Sequence, residues 1–193
     1  MAPGPDSPPD APDRQPGAGG AFVRAVDALN ETVGRMISWL TLFMVAVTFL
    51  VVVLRYVFDI GWIAMQESVT YMHAIVFMAG AAFTFKHQGH VRVDILYRNF
   101  GSRGQAWVNL LGGLFLLLPT ALFIAWISWG YVADSWQVLE GSREAGGLPG
   151  VFLLKTLVLV MPLLLVLQAL AGVLRDLVII RCEASRETGG GGA

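Results

Sequence analysis

The sequence has little charge and almost no cysteine. Only 14% of its 193 residues are Asp, Glu, Lys or Arg, whereas a soluble domain carries roughly 25%, which excludes an ordinary water-soluble globule. The formal net charge is −1, and without a basic excess no nucleic-acid partner is expected. The single cysteine, Cys182, excludes an intrachain disulfide and a multi-cysteine metal site.

Long apolar runs dominate what the sequence does contain, since 55% of the residues are hydrophobic. Four runs are long enough to cross a bilayer, at residues 36–54, 68–85, 107–131 and 156–174. A helix that spans a bilayer needs roughly 20 apolar residues at about 1.5 Å rise each, and in lipid a helix satisfies all its own backbone groups. The sequence therefore predicts an all-α integral membrane protein with four transmembrane helices.

The predicted membrane domain, residues 21–182, lies between two polar tails. Residues 1–20, which hold six of the nine prolines, and the Gly-rich residues 183–193 predict disordered tails. Between the first tail and the first span, residues 21–35 repeat apolar side chains at helical spacing. This pattern predicts either an amphipathic helix on the inner membrane face or an extension of the first span.

Basic residues are distributed unevenly between the two sides of the membrane. If the N-terminus is cytoplasmic, the cytoplasmic segments hold ten of the 13 Lys and Arg residues, and the outer loops hold Arg55, Arg143 and Lys155. Cytoplasmic segments are generally richer in Lys and Arg. The sequence therefore predicts that both termini are cytoplasmic.

Polar side chains within and beside the spans are few, and such groups often mark function. His73 in the second span and Gln168 in the fourth are expected to hydrogen-bond between helices, and the alternative for His73 is a haem ligand. Arg55 and Glu67 bracket the first outer loop, where they either pair or leave Arg55 solvated. Glu67 is also the one candidate coupling carboxylate for an alternative function, a small homodimeric exporter.

Three further segments are candidates for packing or contact. Gly80, within a run of alanines, predicts a close helix-packing face on the second span. Gly89, followed by His90, Arg92 and Asp94, predicts a hinged, charge-anchored turn rather than a catalytic His/Asp pair, because no nucleophile accompanies it. The loop at residues 132–155 is either a plain connector or a contact for a partner outside the membrane.

The sequence contains no nucleotide-binding motif, redox centre or nucleophile site, and no cofactor is expected. The spans carry no charged residue and show no paired breaks of the kind that mark a transporter's substrate site. We therefore expect an accessory membrane subunit that packs against a larger protein, and not an enzyme.

Several short patterns occur in a fixed order along residues 30–180. They are Arg55 to Phe58, then Trp62 with Gln66 and Glu67, then Gly89 to Asp94, then Ser135, Trp136 and Glu140, then Gly146, Gly147, Leu148 and Pro149, and finally Leu154 with Lys155. In this order the patterns resemble the small (DctQ-type) permease subunit of tripartite ATP-independent periplasmic (TRAP) transporters. The Gln-Glu, Gly-Gly-Leu-Pro and Leu-Lys patterns are most similar to the subgroup labelled mannitol/chloroaromatic transport. Trp62 lies five residues before Glu67, whereas the more usual family pattern is Trp-x-Glu-Glu.

The resemblance implies a division of labour in the bacterial inner membrane. A large permease subunit would carry the substrate and sodium sites, and a periplasmic solute-binding protein would deliver a small organic acid-type solute. The small subunit would brace the large one within the lipid, through packing and a few polar contacts.

Overall fold

The computed structural model describes residues 18–87 and 100–189, and these ranges contain helices and their connections without a strand. The elements are α1 (Ala18–Val57), α2 (Ile63–Lys86), α3 (Ser102–Gly112), a π-helical turn (Gly113–Leu117), α4 (Leu118–Gln137) and α5 (Val151–Gly189). The predictions for Gly89, His90, Arg92 and Asp94 concern residues outside the described ranges.

Four stretches of these helices are long and apolar enough to cross a membrane. They are Gly19–Val57, Ile63–Lys86, Arg103–Gln137 and Val151–Glu183. For the described residues, the prediction of an all-α protein with four helices long and apolar enough to span a membrane is therefore confirmed. Each helical stretch exceeds its predicted apolar run because the helices continue into the polar residues that flank the hydrocarbon region.

Both ends of the membrane domain are helical. Residues 21–35 belong to α1 and continue directly into the first span, which agrees with the second of the two alternatives predicted for them. At the other end, α5 runs to Gly189, so residues 183–189, expected in the disordered tail, are helical. Propagating an existing helix adds one hydrogen bond for each residue fixed, which favours extension of a long apolar helix into a polar segment.

The last helix, α5, lies at the centre of the bundle. It packs against α1, α2, α3, the π-helical turn and α4. Small residues are fully or almost fully buried along its contacts, including Ala169 and Ala171 on α5, Ala82 on α2 and Ala121 on α4. In lipid, where apolar side chains gain nothing by leaving solvent, such small residues allow backbones to approach and pack closely.

Gly34 of α1 lies in tight contact with the Phe83 side chain of α2. A Cβ built on Gly34 would lie 2.2 Å from the ring of Phe83, which packs on the bare glycine backbone. At Gly80, where the sequence predicted close packing, a Cβ would meet only the Ile37 side chain, at 3.8 Å. The tight contact therefore depends on a glycine of α1 opposite an aromatic ring, and not on the small-residue run of α2.

The third span is interrupted beside Pro119. Proline has no backbone N–H to donate to the preceding turn of a helix, and Pro119 stands in the first turn of α4, directly after the π-helical turn. Such single π turns accommodate a local break in the hydrogen-bond ladder. Pro162 lies inside α5, where it is buried.

Candidate functional site

Polar side chains gather in two clusters at opposite ends of the bundle. The loop-end cluster consists of Glu67, Ser135, Glu140, Ser142 and Lys155, and the termini-end cluster consists of Asp27, Asn30, Glu31, Lys86, Gln168 and Arg175. On α2, Glu67 of the first cluster and Lys86 of the second are separated by 19 residues, and on α5, Lys155 and Arg175 are separated by 20 residues. At a rise of about 1.5 Å per residue, each pair lies about 30 Å apart along its helix. This separation equals the thickness of a bilayer's hydrocarbon core.

Glu67 holds the loop between α4 and α5 against the start of α2. Its carboxylate accepts hydrogen bonds from the Ser142 hydroxyl and from the Leu148 backbone N–H, the latter at 2.6 Å. The loop is closed on itself at the same place, because Ser142 N–H donates to the Leu148 carbonyl at 3.0 Å. One carboxylate thus fastens both sides of the loop to a membrane helix.

The Gly-Gly-Leu-Pro turn is shaped by its two glycines. Gly146 has a φ of +82°, a conformation that side chains other than glycine rarely adopt. A Cβ on Gly147 would lie 2.5 Å from the Ser142 Cβ and 2.8 Å from a carboxylate oxygen of Glu67. The turn therefore needs glycine at 147 to let Leu148 reach Glu67, and Pro149 follows as an exposed residue.

Glu140 and Lys155 tie the same loop to α4 and α5. Glu140 accepts hydrogen bonds from Lys155 Nζ at 2.5 Å and from the Ser135 hydroxyl at 2.8 Å. Lys155 Nζ also lies 4.0 Å from the centroid of the Tyr131 ring, within the range of a cation–π contact. Hydrogen bonding by Lys155, and then by Ser135, lowers the pKa of the Glu140 carboxyl.

The termini-end cluster joins α1, α2 and α5. Arg175 Nη2 donates to both carboxylate oxygens of Asp27, at 2.9 and 3.1 Å. Lys86 Nζ donates to the Asp27 carbonyl at 3.1 Å and to Glu31 at 3.2 Å. The start of the first span, the end of the second and the second half of the fourth are therefore fastened together on one side of the bundle.

One buried pair lies deeper than these charges. Asn30 Nδ2 donates to Gln168 Oε1 at 2.5 Å, and the two residues are 1% and 2% exposed. Gln168 thus makes a bond between α5 and α1, of the kind suggested by its position in the sequence. Its partner, Asn30, was not among the candidates, because it falls in the segment predicted to be either a surface helix or an extension of the first span.

Other sequence candidates stand apart from both clusters. Arg55 is exposed at the end of α1 and makes no ion pair with Glu67, whose carboxylate is occupied by the loop. Trp62 is 60% exposed at the start of α2, and the Gln66 N–H bonds to its carbonyl. His73 is exposed on α2 and, within the part of the chain that is described, makes no hydrogen bond between helices, contrary to expectation.

Sequence reasoning missed six members of the clusters, namely Asp27, Asn30, Glu31, Lys86, Arg175 and Ser142. A partial signal existed for the first three, since they recur at three- and four-residue spacing on one side of α1. Ser142 carried no comparable signal, because its role depends on a loop conformation that brings it to a helix 75 residues away.

Comparison with known proteins identifies the family. Residues 44–178, more than two thirds of the chain, match the family model described as tripartite ATP-independent periplasmic transporters, DctQ component. No curated protein and no solved structure matches the chain. The matched region contains the loop-end cluster and all of α2, together with residues 151–178 of α5, which include Gln168 and Arg175. The chain belongs to the DctQ family and is a multi-pass membrane component of a TRAP transporter.

Proposed function

We propose that this chain is the small membrane subunit that braces the large permease subunit of a TRAP transporter. In this assignment the large subunit performs sodium-coupled uptake of a small organic acid-type solute, which a periplasmic binding protein delivers. The DctQ family is a transporter component and not an enzyme family, which supports a non-catalytic role. The loop patterns around Glu67 and Gly147 support the mannitol/chloroaromatic-like subgroup.

The observation that carries the proposal is the distribution of polar side chains. Those of the two clusters bond to one another at the membrane boundaries, and the apolar runs at residues 36–54, 68–85, 107–131 and 156–174 contain no Asp, Glu, Lys or Arg. A pathway for a polar solute needs polar groups or broken helices at the membrane midplane. A bundle fastened at both ends and apolar between them suits a rigid support instead.

The same contacts support the proposed placement in the membrane. The termini-end cluster brings the beginning of α1 and the second half of α5 to one side, so both ends of the described chain lie on that side. That side also has the excess of Lys and Arg, which favours the cytoplasm. We therefore place the chain in the bacterial inner membrane with both termini cytoplasmic.

Two alternative functions have less support. A haem held by two histidines needs them on facing helices, but His73 and His87, the histidines that the structure describes, both belong to the α2 segment. A proton-coupled homodimeric exporter needs an available carboxylate, but Glu67 is engaged by Ser142 and Leu148. Neither alternative explains the two end clusters.

The test is affinity purification of the tagged chain from its native membrane in mild detergent, followed by mass spectrometry and an absorption spectrum. We expect a larger multi-span permease to co-purify in stoichiometric amount with a colourless sample. A chain purified alone as a self-sufficient oligomer would contradict the proposal. A Soret band abolished by His73→Ala would replace the proposal with an electron-transfer function.

The transport role has a separate test in cells that lack the chromosomal copy of this chain. Uptake of the solute should be lost, and it should return when the full chain is supplied. In proteoliposomes that hold both membrane subunits and the binding protein, uptake should follow an imposed sodium gradient. Solute uptake by proteoliposomes containing this chain alone would contradict an accessory role.

A further inference from the structure

His73 occupies an unfavourable position for a side chain that faces lipid. It lies six residues after Glu67 and 13 residues before Lys86, hence about 9 Å and about 20 Å along α2 from the two end clusters. On α2 between Glu67 and Lys86 there is no other histidine and no Asp, Glu, Lys or Arg. The imidazole is exposed on the bundle surface, and its side chain is too short to reach either boundary.

The exposed surface around His73 follows one face of α2. Thr70, His73, Phe77 and Thr84 repeat at spacings of three, four and seven residues, which places them on one side of a helix, and all four are exposed. We name these four residues the His73 face. The Thr84 hydroxyl donates a hydrogen bond to the Gly80 carbonyl at 2.9 Å. The side chains of Thr70 and His73, in contrast, make no hydrogen bond within the described chain.

The hydroxyl groups of α1 offer a contrast. Ser38, Thr41 and Thr48 all donate to the carbonyl four residues earlier in the same helix, so these hydroxyl hydrogens already have an acceptor. A neutral imidazole has one donor and one acceptor, and neither finds a partner on α2. Polar groups at this depth are costly in lipid and generally face protein or water.

We propose that the His73 face is the surface on which a transmembrane helix of the large permease subunit docks, with a hydrogen-bonding group opposite the imidazole. This inference rests on the proposed function, which supplies a second membrane subunit. Thr70 and His73 need a partner with donors and acceptors, and Phe77, 66% exposed, provides apolar contact one turn away. Hydrogen-bond complementarity therefore favours a protein helix over lipid acyl chains.

Site-specific photo-crosslinking tests the occupant of this face. Phe77 is replaced by p-benzoylphenylalanine in the intact complex, and Phe123 on α4, which is 56% exposed, is replaced in the same way as a matched control. We expect Phe77→p-benzoylphenylalanine to crosslink to the large subunit at least tenfold more than the Phe123 variant. Crosslinks from position 77 to lipid alone, or to a second copy of this chain, would overturn the inference.

A second test measures the contribution of the imidazole. His73→Phe should weaken association with the large subunit about threefold to tenfold, as expected for the loss of one hydrogen bond between membrane helices. His73→Asn should retain most of the affinity because it keeps a donor and an acceptor. Thr48→Val, which removes an exposed hydroxyl that bonds within α1, should leave the affinity unchanged.

Failure of this inference is distinguishable from failure of the proposed function. If the large subunit co-purifies with the wild-type chain but crosslinks equally or preferentially to position 123, only the assignment of the His73 face as the docking surface is wrong. If no large subunit co-purifies at all, the proposed function is wrong and the inference falls with it. The thermal stability of the isolated chain should not change in His73→Phe, and a marked loss would show that His73 serves the fold of this chain instead.

Discussion

Asn30 and Gln168 are joined by a hydrogen bond across 138 residues of sequence, and both side chains are almost completely buried. The bond connects α1 with α5. It lies closer to the middle of the membrane than the Asp27–Arg175 ion pair does. A buried amide keeps its full desolvation cost when its partner is removed. Replacing either residue therefore measures how much this hydrogen bond contributes to the packing of α1 against α5.

We expect Asn30→Leu to destabilise the bundle by about 1 to 3 kcal/mol, because it leaves the Gln168 amide without its partner. The double variant with Gln168→Leu should lose less than the sum of the two single variants, since no orphaned amide remains. Unfolding of the four proteins in detergent measures this difference. Thr32→Val, which removes an exposed hydroxyl bonded within α1, is the control, and strictly additive losses would contradict the pairing.

Gly147→Ala should open the loop at the Gly-Gly-Leu-Pro turn. The added Cβ would lie too close to Ser142 and Glu67, and relieving such overlap typically costs about 1 to 3 kcal/mol. Limited proteolysis of residues 138–150 and a thermal unfolding curve report the change. Gly141→Ala, where the new Cβ would meet the nearest atom at 3.5 Å, should be nearly neutral, and equal effects at both positions would disprove the steric explanation.

The Glu140–Lys155 contact predicts a pH-dependent contribution to stability. The hydrogen bonds from Lys155 and Ser135 lower the pKa of Glu140 in the folded protein, whereas an unfolded glutamate titrates at about 4.3. The stabilisation is therefore complete above that value and is lost as the pH falls through the lowered folded pKa. The stability difference between wild type and Glu140→Gln should be constant near neutral pH and shrink in acid.

The control for this titration is Glu144→Gln, because the Glu144 side chain is exposed on the same loop. Its stability should follow that of the wild type at every pH. A difference between wild type and Glu140→Gln that stays constant into strong acid would show that the carboxylate is not held by these bonds. Urea titrations of the detergent-solubilised chain at several pH values provide the measurement.

Gly34 and Gly80 form a matched pair for testing the α1–α2 contact. Gly34→Ala should destabilise the bundle by about 1 to 3 kcal/mol, because the Phe83 ring must move away from the new methyl group. Gly80→Ala should cost little, since its Cβ finds ordinary contact distance. Adding Phe83→Ala to Gly34→Ala should remove most of the steric penalty, and the opposite ranking of the two glycines would contradict the packing described.

The membrane spans were predictable because the hydrophobic pattern is local and the bilayer fixes its length. The position of Gln168 within an apolar run was equally informative, because an amide at that depth needs a partner. Neither pattern identifies the partner, however. Asn30 lies in a segment with alternating polar residues, where a position inside the bundle cannot be distinguished from one on a membrane surface by periodicity alone.

The same limit explains why the sequence left open whether Arg55 and Glu67 pair or Arg55 is solvated. They flank one short loop in sequence, and proximity along the chain suggested an ion pair. In the folded protein Glu67 bonds instead to residues 75 and 81 positions away, because the turn at Gly146 and Gly147 brings a backbone N–H and a hydroxyl to its carboxylate. Loop geometry of this kind depends on backbone conformation that the hydrophobic pattern does not specify.

The contact of α5 with each of the other described helices has a consequence for biosynthesis. α5 is the last of these helices to leave the ribosome, so α1 to α4 enter the membrane before the helix that connects them exists. Until then Asp27 and Asn30 have no partner from α5, and the earlier helices can associate only through their contacts with one another. Assembly of this bundle is therefore completed at the end of synthesis, and a chain interrupted within α5 would expose unpaired polar groups to membrane quality control.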